Sequence, residues 1–189
     1  MFVANRPSSE ELLAFVAKSA DLPLSYSPVG IAREAPAGFS LDQAKVVLGR
    51  GEAVFLKAKA ALLRWAHFEL GWVELFPPGA PVATGTVVAM VVRHLGFWSV
   101  NGCKVVYGVE EVREVREFGF AYGTLTNHAE TGEEIFKIVQ DTDTGEVVYT
   151  IRAVSKPQSL FARCGYPVAR ALQARFRRDS TAAMLRAVG

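Results

Sequence analysis

This 189-residue chain predicts an α+β fold: a curved antiparallel sheet wrapped around a long C-terminal helix, with further helices ahead of the sheet. Three observations predict it. Helical spacing governs the segments before Phe68. The apolar period switches to alternation after the proline-rich break Pro77-Pro78-Gly79-Ala80-Pro81. One amphipathic helical segment then closes the chain.

The first helix starts at Ser8-Ser9-Glu10-Glu11, where Ser8 and Glu11 stand at capping-box spacing and can each serve an unpaired backbone N–H. Leu12, Leu13, Phe15 and Val16 form its apolar face, and Leu22-Pro23 ends it. Residues 1–25 are read as a helical extension packed on a single α+β domain over 26–189. Pro28, Gly30, Pro36 and Gly38 mark a loop. Val46-Val47-Leu48 reads as a strand, Gly49-Arg50-Gly51 as its turn, and 52–68 as a helix with Val54, Ala58, Leu62, Trp65 and Ala66 at spacings of three and four. A glycine turn before a helix is a place for anions. Here Val54 stands where a dinucleotide fingerprint needs its third glycine, and Glu52 repels a phosphate, so a plain helix start is the better reading.

Thr86 to Leu95 is a β-branched run and a strand, and Trp98 to Val109 is the next, with a bulge or bend expected at Asn101-Gly102. Phe118 to Leu125 alternates. Phe118, Phe120, Tyr122 and Thr124 share one face, while Gly119, Ala121 and Gly123 leave room on the other for a close neighbour. Glu134 to Gln140 and Glu146 to Val154 form a hairpin around 141–145. Pro157 to Ala162 reads as a short separate turn. Pro167 suits the first turn of the last helix, whose stripe is Val168, Leu172, Phe176 and Ala183, with Arg170 and Arg177 pointing away.

Half the residues are apolar and 21% are charged, an ordinary globular composition. No apolar run reaches the roughly 18–20 residues of a membrane span, and residues 1–21 lack a signal-peptide pattern, so a cytoplasmic location is expected. Cys103 and Cys164 have neither zinc nor CxxC spacing and read as small buried hydrophobes. The net charge of +2 is unevenly spread. Tyr107 to Glu146 is acidic, whereas Lys156 to Gly189 carries Arg163, Arg170, Arg175, Arg177, Arg178 and Arg186. Aromatic residues do not interleave with these arginines, so nucleic acid is not an expected partner.

The densest polar cluster runs from Tyr122 to Glu134. Within it His128 and Glu130 form a candidate imidazole–carboxylate pair, with Tyr122 or Thr124 as hydrogen-bond donor to a substrate oxygen. The competing reading is a solvated acidic hairpin. No HExxH, Cys/His cluster or GxSxG elbow is present, so neither a metal, a cofactor nor a nucleophilic serine is expected. The aromatic residues of the sheet half are core by default. Polar tips among them make Trp65, Trp98, Asn101, Tyr107, Phe118, Phe120 and Tyr122 a candidate lining for a small apolar or amphipathic ligand. Three functions follow: a ligand-binding module, an acid–base enzyme using His128 and Glu130, or an interaction protein with a basic helix face. A second copy of the chain is a further candidate partner.

Read in order, the motifs resemble a known family. Gly49-Arg-Gly-Glu-Ala, Gly71-Trp-Val, His94-Leu-Gly-Phe-Trp98, Asn101 to Tyr107, Phe118 to Leu125, His128-Ala-Glu130, Gly132 to Phe136, Ser155-Lys-Pro157 and Phe176 to Ser180 resemble the bacterial and plant family called domain of unknown function nineteen-ninety. The likeness covers about Tyr26 to Met184. Thr126-Asn127 stands where the family pattern has Pro-Gly, and Lys104 where it has arginine. The resemblance implies no particular activity. Through its element order it is similar, more distantly, to the helix-grip superfamily of lipid-transfer and polyketide-cyclase-like proteins, which is an argument about fold and not function.

Overall fold

The computed structural model describes residues 2–94, 96–158 and 166–189. A short strand, β1 (Phe2–Val3), precedes helix α1 (Ser9–Ser19). The capping box is formed: Glu11 N donates to the Ser8 hydroxyl at 3.2 Å, and Ser8 N donates to the Glu11 carboxylate at 2.7 Å. A helix of one turn, α2 (Ile31–Glu34), lies inside the segment read as loop. Four residues are too few for a helical period to show. Strand β2 (Ser40–Arg50) and helix α3 (Glu52–Leu63) follow, then a 3-10 turn at Ala66–Phe68.

Six more strands come next: β3 (Val73–Phe76), β4 (Val87–His94), β5 (Phe97–Val112), β6 (Val115–Thr124), β7 (Glu130–Asp141) and β8 (Glu146–Pro157). Helix α4 (Tyr166–Val188) closes the chain. The strands pair antiparallel in the order β2-β8-β7-β6-β5-β4-β3, with β1 beside the start of β5. The sheet curls around α3 and α4, the predicted α+β, helix-grip arrangement. The turn expected at Pro157–Ala162 falls mostly outside the described residues, and β8 runs through Pro157.

Alternation sorts the strands between two covered faces. Phe120, Phe136, Ile138, Tyr149 and Ile151 point inward and pack with Phe55, Leu62 and Met184 of the helices. On the convex face, Leu12 of α1 sits on Ala89, Val91 and Val100. Ile31 and Ala32 of α2 sit on Ala121, Ile135 and Val154. A strand buried on both sides reads as a near-continuous apolar run, which is why β4 lacks clean alternation.

The bulge is not at Asn101-Gly102. Those residues pair regularly with Met90 and Ala89, and the register slips at Val106 instead. Gly102 is small for another reason: a Cβ there would stand 2.4 Å from Asn127 Oδ1 in the β6–β7 turn. Asn127 Nδ2 also donates to Ser19 Oγ at 2.8 Å, and Lys104 Nζ donates to Ala20 O at 3.1 Å. Asn127 and Lys104 thus both hold the end of α1.

The small face of β6 is occupied as expected. A Cβ on Gly123 would come within 2.2 Å of Tyr26 Oη. That hydroxyl donates to Glu133, which also receives Tyr107 Oη and the backbone N–H groups of Gly30 and Ala32. Gly123→Ala is expected to displace Tyr26 and lower stability by about 2 kcal/mol, read from urea unfolding. A loss under about 0.5 kcal/mol would show that Tyr26 swings aside freely.

Arg170 and Arg177 do not point into solvent. Arg170 makes a two-pronged ion pair with Asp42 of β2, and Arg177 Nη1 lies 2.9 Å from Asp42 Oδ1. The apolar stripe of a helix shows which side is buried but not what faces its polar side. Arg175 and Arg178 both reach Asp179. Four of the five arginines on α4 are therefore paired, two to each of two aspartates, and the outward ones, Arg175 and Arg178, stay largely exposed.

Candidate functional site

The inward positions change character along the sheet. At one end they are large and apolar: Phe120, Phe136, Tyr149 and Ile151 fill the space under α3. Toward the other end the same faces carry Thr124, Gly132, Glu130, Ala153 and Ser155, which are too small or too polar to fill it. A pocket of about 640 Å³ remains there between the sheet and α4. This lies within the range of small-molecule sites, roughly 300–1,000 Å³. Its walls are mostly apolar, with Trp72, Met90, Val92, Leu172 and Phe176 prominent.

Its polar groups are few and held in place. Tyr122 Oη donates to Glu134 Oε2 at 2.6 Å. Burial raises the Glu134 carboxyl to about 7, with the Tyr122 hydrogen bond and the charge of Arg177 opposing. Burial likewise pushes the Tyr122 phenol well above its usual range. Glu130 Oε2 accepts from Gln173 Nε2 at 2.5 Å, and its carboxyl is also raised by burial. Gln173 in turn accepts from Arg170, so one hydrogen-bonded chain runs from Glu130 through α4 to Asp42. Asn101 Oδ1 accepts from Ala129 N at 3.2 Å and its Nδ2 donates to Ser99, fixing the rim of the β6–β7 turn.

His128 is set differently from the imidazole–carboxylate pair expected of it. Its Nδ1 accepts the backbone N–H of Glu130 at 2.9 Å, while the Glu130 carboxylate is committed to Gln173. The adjacent backbone donor reaches the ring before the side chain can. With Nδ1 accepting, the neutral ring carries its proton on Nε2. Burial lowers the His128 pKa to about 4, so at neutral pH the ring is an uncharged hydrogen-bond donor with its basic nitrogen occupied. Thr124 is also engaged: its hydroxyl accepts from Gly132 N and donates to Gly132 O, a tie between β6 and β7.

Tyr122, Thr124, His128, Glu130 and Asn101 therefore line one pocket. The other candidate lining residues lie elsewhere. Trp65 and Phe120 are fully buried in the packed core, the Trp65 indole donating to Ala80 O at 2.8 Å. Phe118 borders a separate cleft of about 320 Å³ near Gly108 and Gly119. Trp98 is on the convex face with Leu12 and Phe15. Tyr107 is convex as well, because the bulge at Val106 puts Val106 and Tyr107 on the same side. Asp42, Glu134, Gln173 and Trp72 belong to the pocket and were not singled out from sequence. Glu134 had a legible signal: it sits two residues before Phe136, and alternation from a core phenylalanine aims it inward.

The titration of Glu134 has a fixed sign. Its folded pKa, about 7, lies above its ordinary value of 4.5, so it stabilises the fold fully below about pH 4.5 and loses that contribution as pH rises through 7. Glu134→Gln is expected to be more stable than the wild type by about 3 kcal/mol at pH 8 and equal to it near pH 4. Thermal melts at the two pH values check this. Equal melting temperatures at pH 8 would refute the buried, reluctant carboxylate.

Comparison with known proteins gives a family and a fold. The family model described as Domain of unknown function (DUF1990) matches residues 25–183. A UPF0548 protein of Dictyostelium discoideum is 40% identical over 160 residues, covering 80% of this chain and 74% of that protein. Among solved structures, a hypothetical protein of Helicobacter pylori is similar at a TM-score of 0.55 and 10% identity, covering 87% of this chain and 95% of that one. The Zhui aromatase/cyclase of a Streptomyces species is similar at a TM-score of 0.50 and 13% identity, covering 78% and 92%. At such identities the likeness to solved structures is one of fold alone.

Proposed function

The chain belongs to the DUF1990 family, and on that premise we propose that it binds a small amphipathic molecule between the curled sheet and α4. The observation that carries this reading is the interruption of the core. Inward positions that are aromatic at one end of β6, β7 and β8 become Thr124, Glu130, Gly132, Ala153 and Ser155 at the other, and the space is left open. Trp72, Leu172 and Phe176 suit an apolar body, while Glu134, Tyr122 and His128 suit a polar end. Native mass spectrometry of protein purified from its own host tests it. The expected spectrum holds a mass adduct that disappears on Leu172→Trp, which fills the pocket from α4. An adduct-free spectrum under gentle conditions would count against binding.

Acid–base chemistry on the bound molecule is the second reading, favoured by the Glu134 carboxyl at about 7, close to working pH. It assigns the base to Glu134, since the His128 Nδ1 lone pair is spent on a backbone N–H. The compound recovered from the pocket should then be converted on incubation with fresh protein and left unchanged by Glu134→Gln.

A further inference from the structure

We propose that the ligand's polar end is a hydrogen-bond donor, a hydroxyl or an amine, and that the pocket excludes carboxylates and other anions. The inference rests on the ligand-binding reading above and adds the chemistry of the head group. Four acidic residues border the pocket, with Arg177: the Glu133 carboxylate is turned away to Tyr26 and Tyr107, leaving Asp42 from β2 and Glu130 and Glu134 from β7. The guanidinium groups of Arg170 and Arg177, both from α4, converge on Asp42. Among the described residues Glu130 and Glu134 have no ion pair within 4 Å, so once they are ionised, for Glu134 above about pH 7, their charge stands against any anion brought beside them. In a site walled by Trp72, Leu172 and Phe176 that repulsion is weakly screened.

Hydrogen-bond valence points the same way. The Tyr122 hydroxyl satisfies Glu134 Oε2, and among the described residues no hydrogen bond reaches Glu134 Oε1. A carboxylate oxygen accepts and cannot donate once ionised, so the partner it can take from a ligand is a donor. The site offers a neutral ring donor of its own, His128 Nε2–H, because Nδ1 takes the Glu130 N–H; Nε2 of the other lining histidine, His94, is at the Ser99 hydroxyl. A hydroxyl can give its proton to Glu134 and still accept from a donor. An ammonium gains the charge complement of Glu134. A carboxylate head can accept from His128 but gives Glu134 no donor, and it meets two like charges.

Three probes with the same apolar body separate these cases: 1-octanol, octylamine and octanoate, titrated calorimetrically against the full chain at pH 8, where Glu134 is ionised. Octanol and octylamine are expected to bind at least about tenfold more tightly than octanoate. Glu134→Gln should weaken octylamine about fivefold or more and bring octanoate to within about threefold of it, with near-UV circular dichroism showing the variant folded. Octanoate binding as tightly as octanol to the wild type overturns the inference while leaving the ligand-binding reading intact. Selectivity unchanged in Glu134→Gln overturns the part assigned to Glu134. No binding of any of the three overturns the reading of the pocket, and this inference with it.

Discussion

Asp42→Ala is expected to cost about 3–5 kcal/mol, the usual loss when one partner of a buried ion pair is deleted. Asp42 is 7% exposed at its side chain and receives both Arg170 and Arg177. Its removal leaves two guanidinium groups against the sheet, the Arg177 side chain itself only 17% exposed. It also unties Gln173, which Arg170 holds in place for Glu130, so the wall of the pocket loosens together with the seating of α4 on β2. In a chain of this length the melting temperature should fall by about 6–20 °C, at 2–4 °C per kcal/mol. Asp42→Asn keeps an acceptor and should lose less. Replacing Arg170 and Arg177 by methionine in the Asp42→Ala background should recover most of the loss, because no charge is then left stranded. A single-variant loss under about 1 kcal/mol would mean that water solvates both arginines and that the ion pair holds little.

That triad also marks where sequence reading stops. Periodicity placed the last helix and its apolar stripe, since 3.6-residue spacing is a local property. Asp42 lies 128 positions before Arg170, and no local pattern links them. The hairpin of β7 and β8 and the alternation of β6 were legible for the same local reason. Trp98 could have been separated from Asn101 by parity, because residues an odd number apart on a regular strand face opposite ways. Tyr107 could not: parity alone puts it beside Asn101, and only the slip at Val106 turns it out toward Glu133. The Tyr122-to-Glu134 segment stood out as polar on a strand-rich scaffold. Burial raises both Glu130 and Glu134; that the strongly shifted one is Glu134 beside Tyr122 depended on register, and the local sequence singled out Glu130 beside His128.

His67→Phe is expected to flatten the acid side of the stability profile, and the reason is a local conflict in the core. His67 is fully buried, and among the described residues neither ring nitrogen has a hydrogen-bond partner. Its ring stacks on Trp65 at 5.7 Å and lies 4.4 Å from Phe136 and 4.8 Å from Phe68 between centroids, an aromatic cage with nothing to accept or donate. Burial lowers its pKa to about 3, against an ordinary value of 6.5. The folded protein therefore holds this proton more weakly than the unfolded chain does. The associated stability is complete above pH 6.5 and drains away as pH falls toward 3, at about 1.4 kcal/mol per pH unit and about 5 kcal/mol in all. Phenylalanine keeps the ring plane, adds one ring atom and cannot be protonated. Relative to its own value at pH 7, the variant should retain about 3 kcal/mol more stability at pH 4.5 than the wild type does. Two unsatisfied nitrogens are also removed, each a group whose burial without a partner costs about 1–3 kcal/mol, so His67→Phe should be no less stable than the wild type at pH 7. Urea unfolding at the two pH values decides it. Parallel losses in both proteins would mean that His67 finds a partner, such as a buried water, and the conflict in the core would be gone.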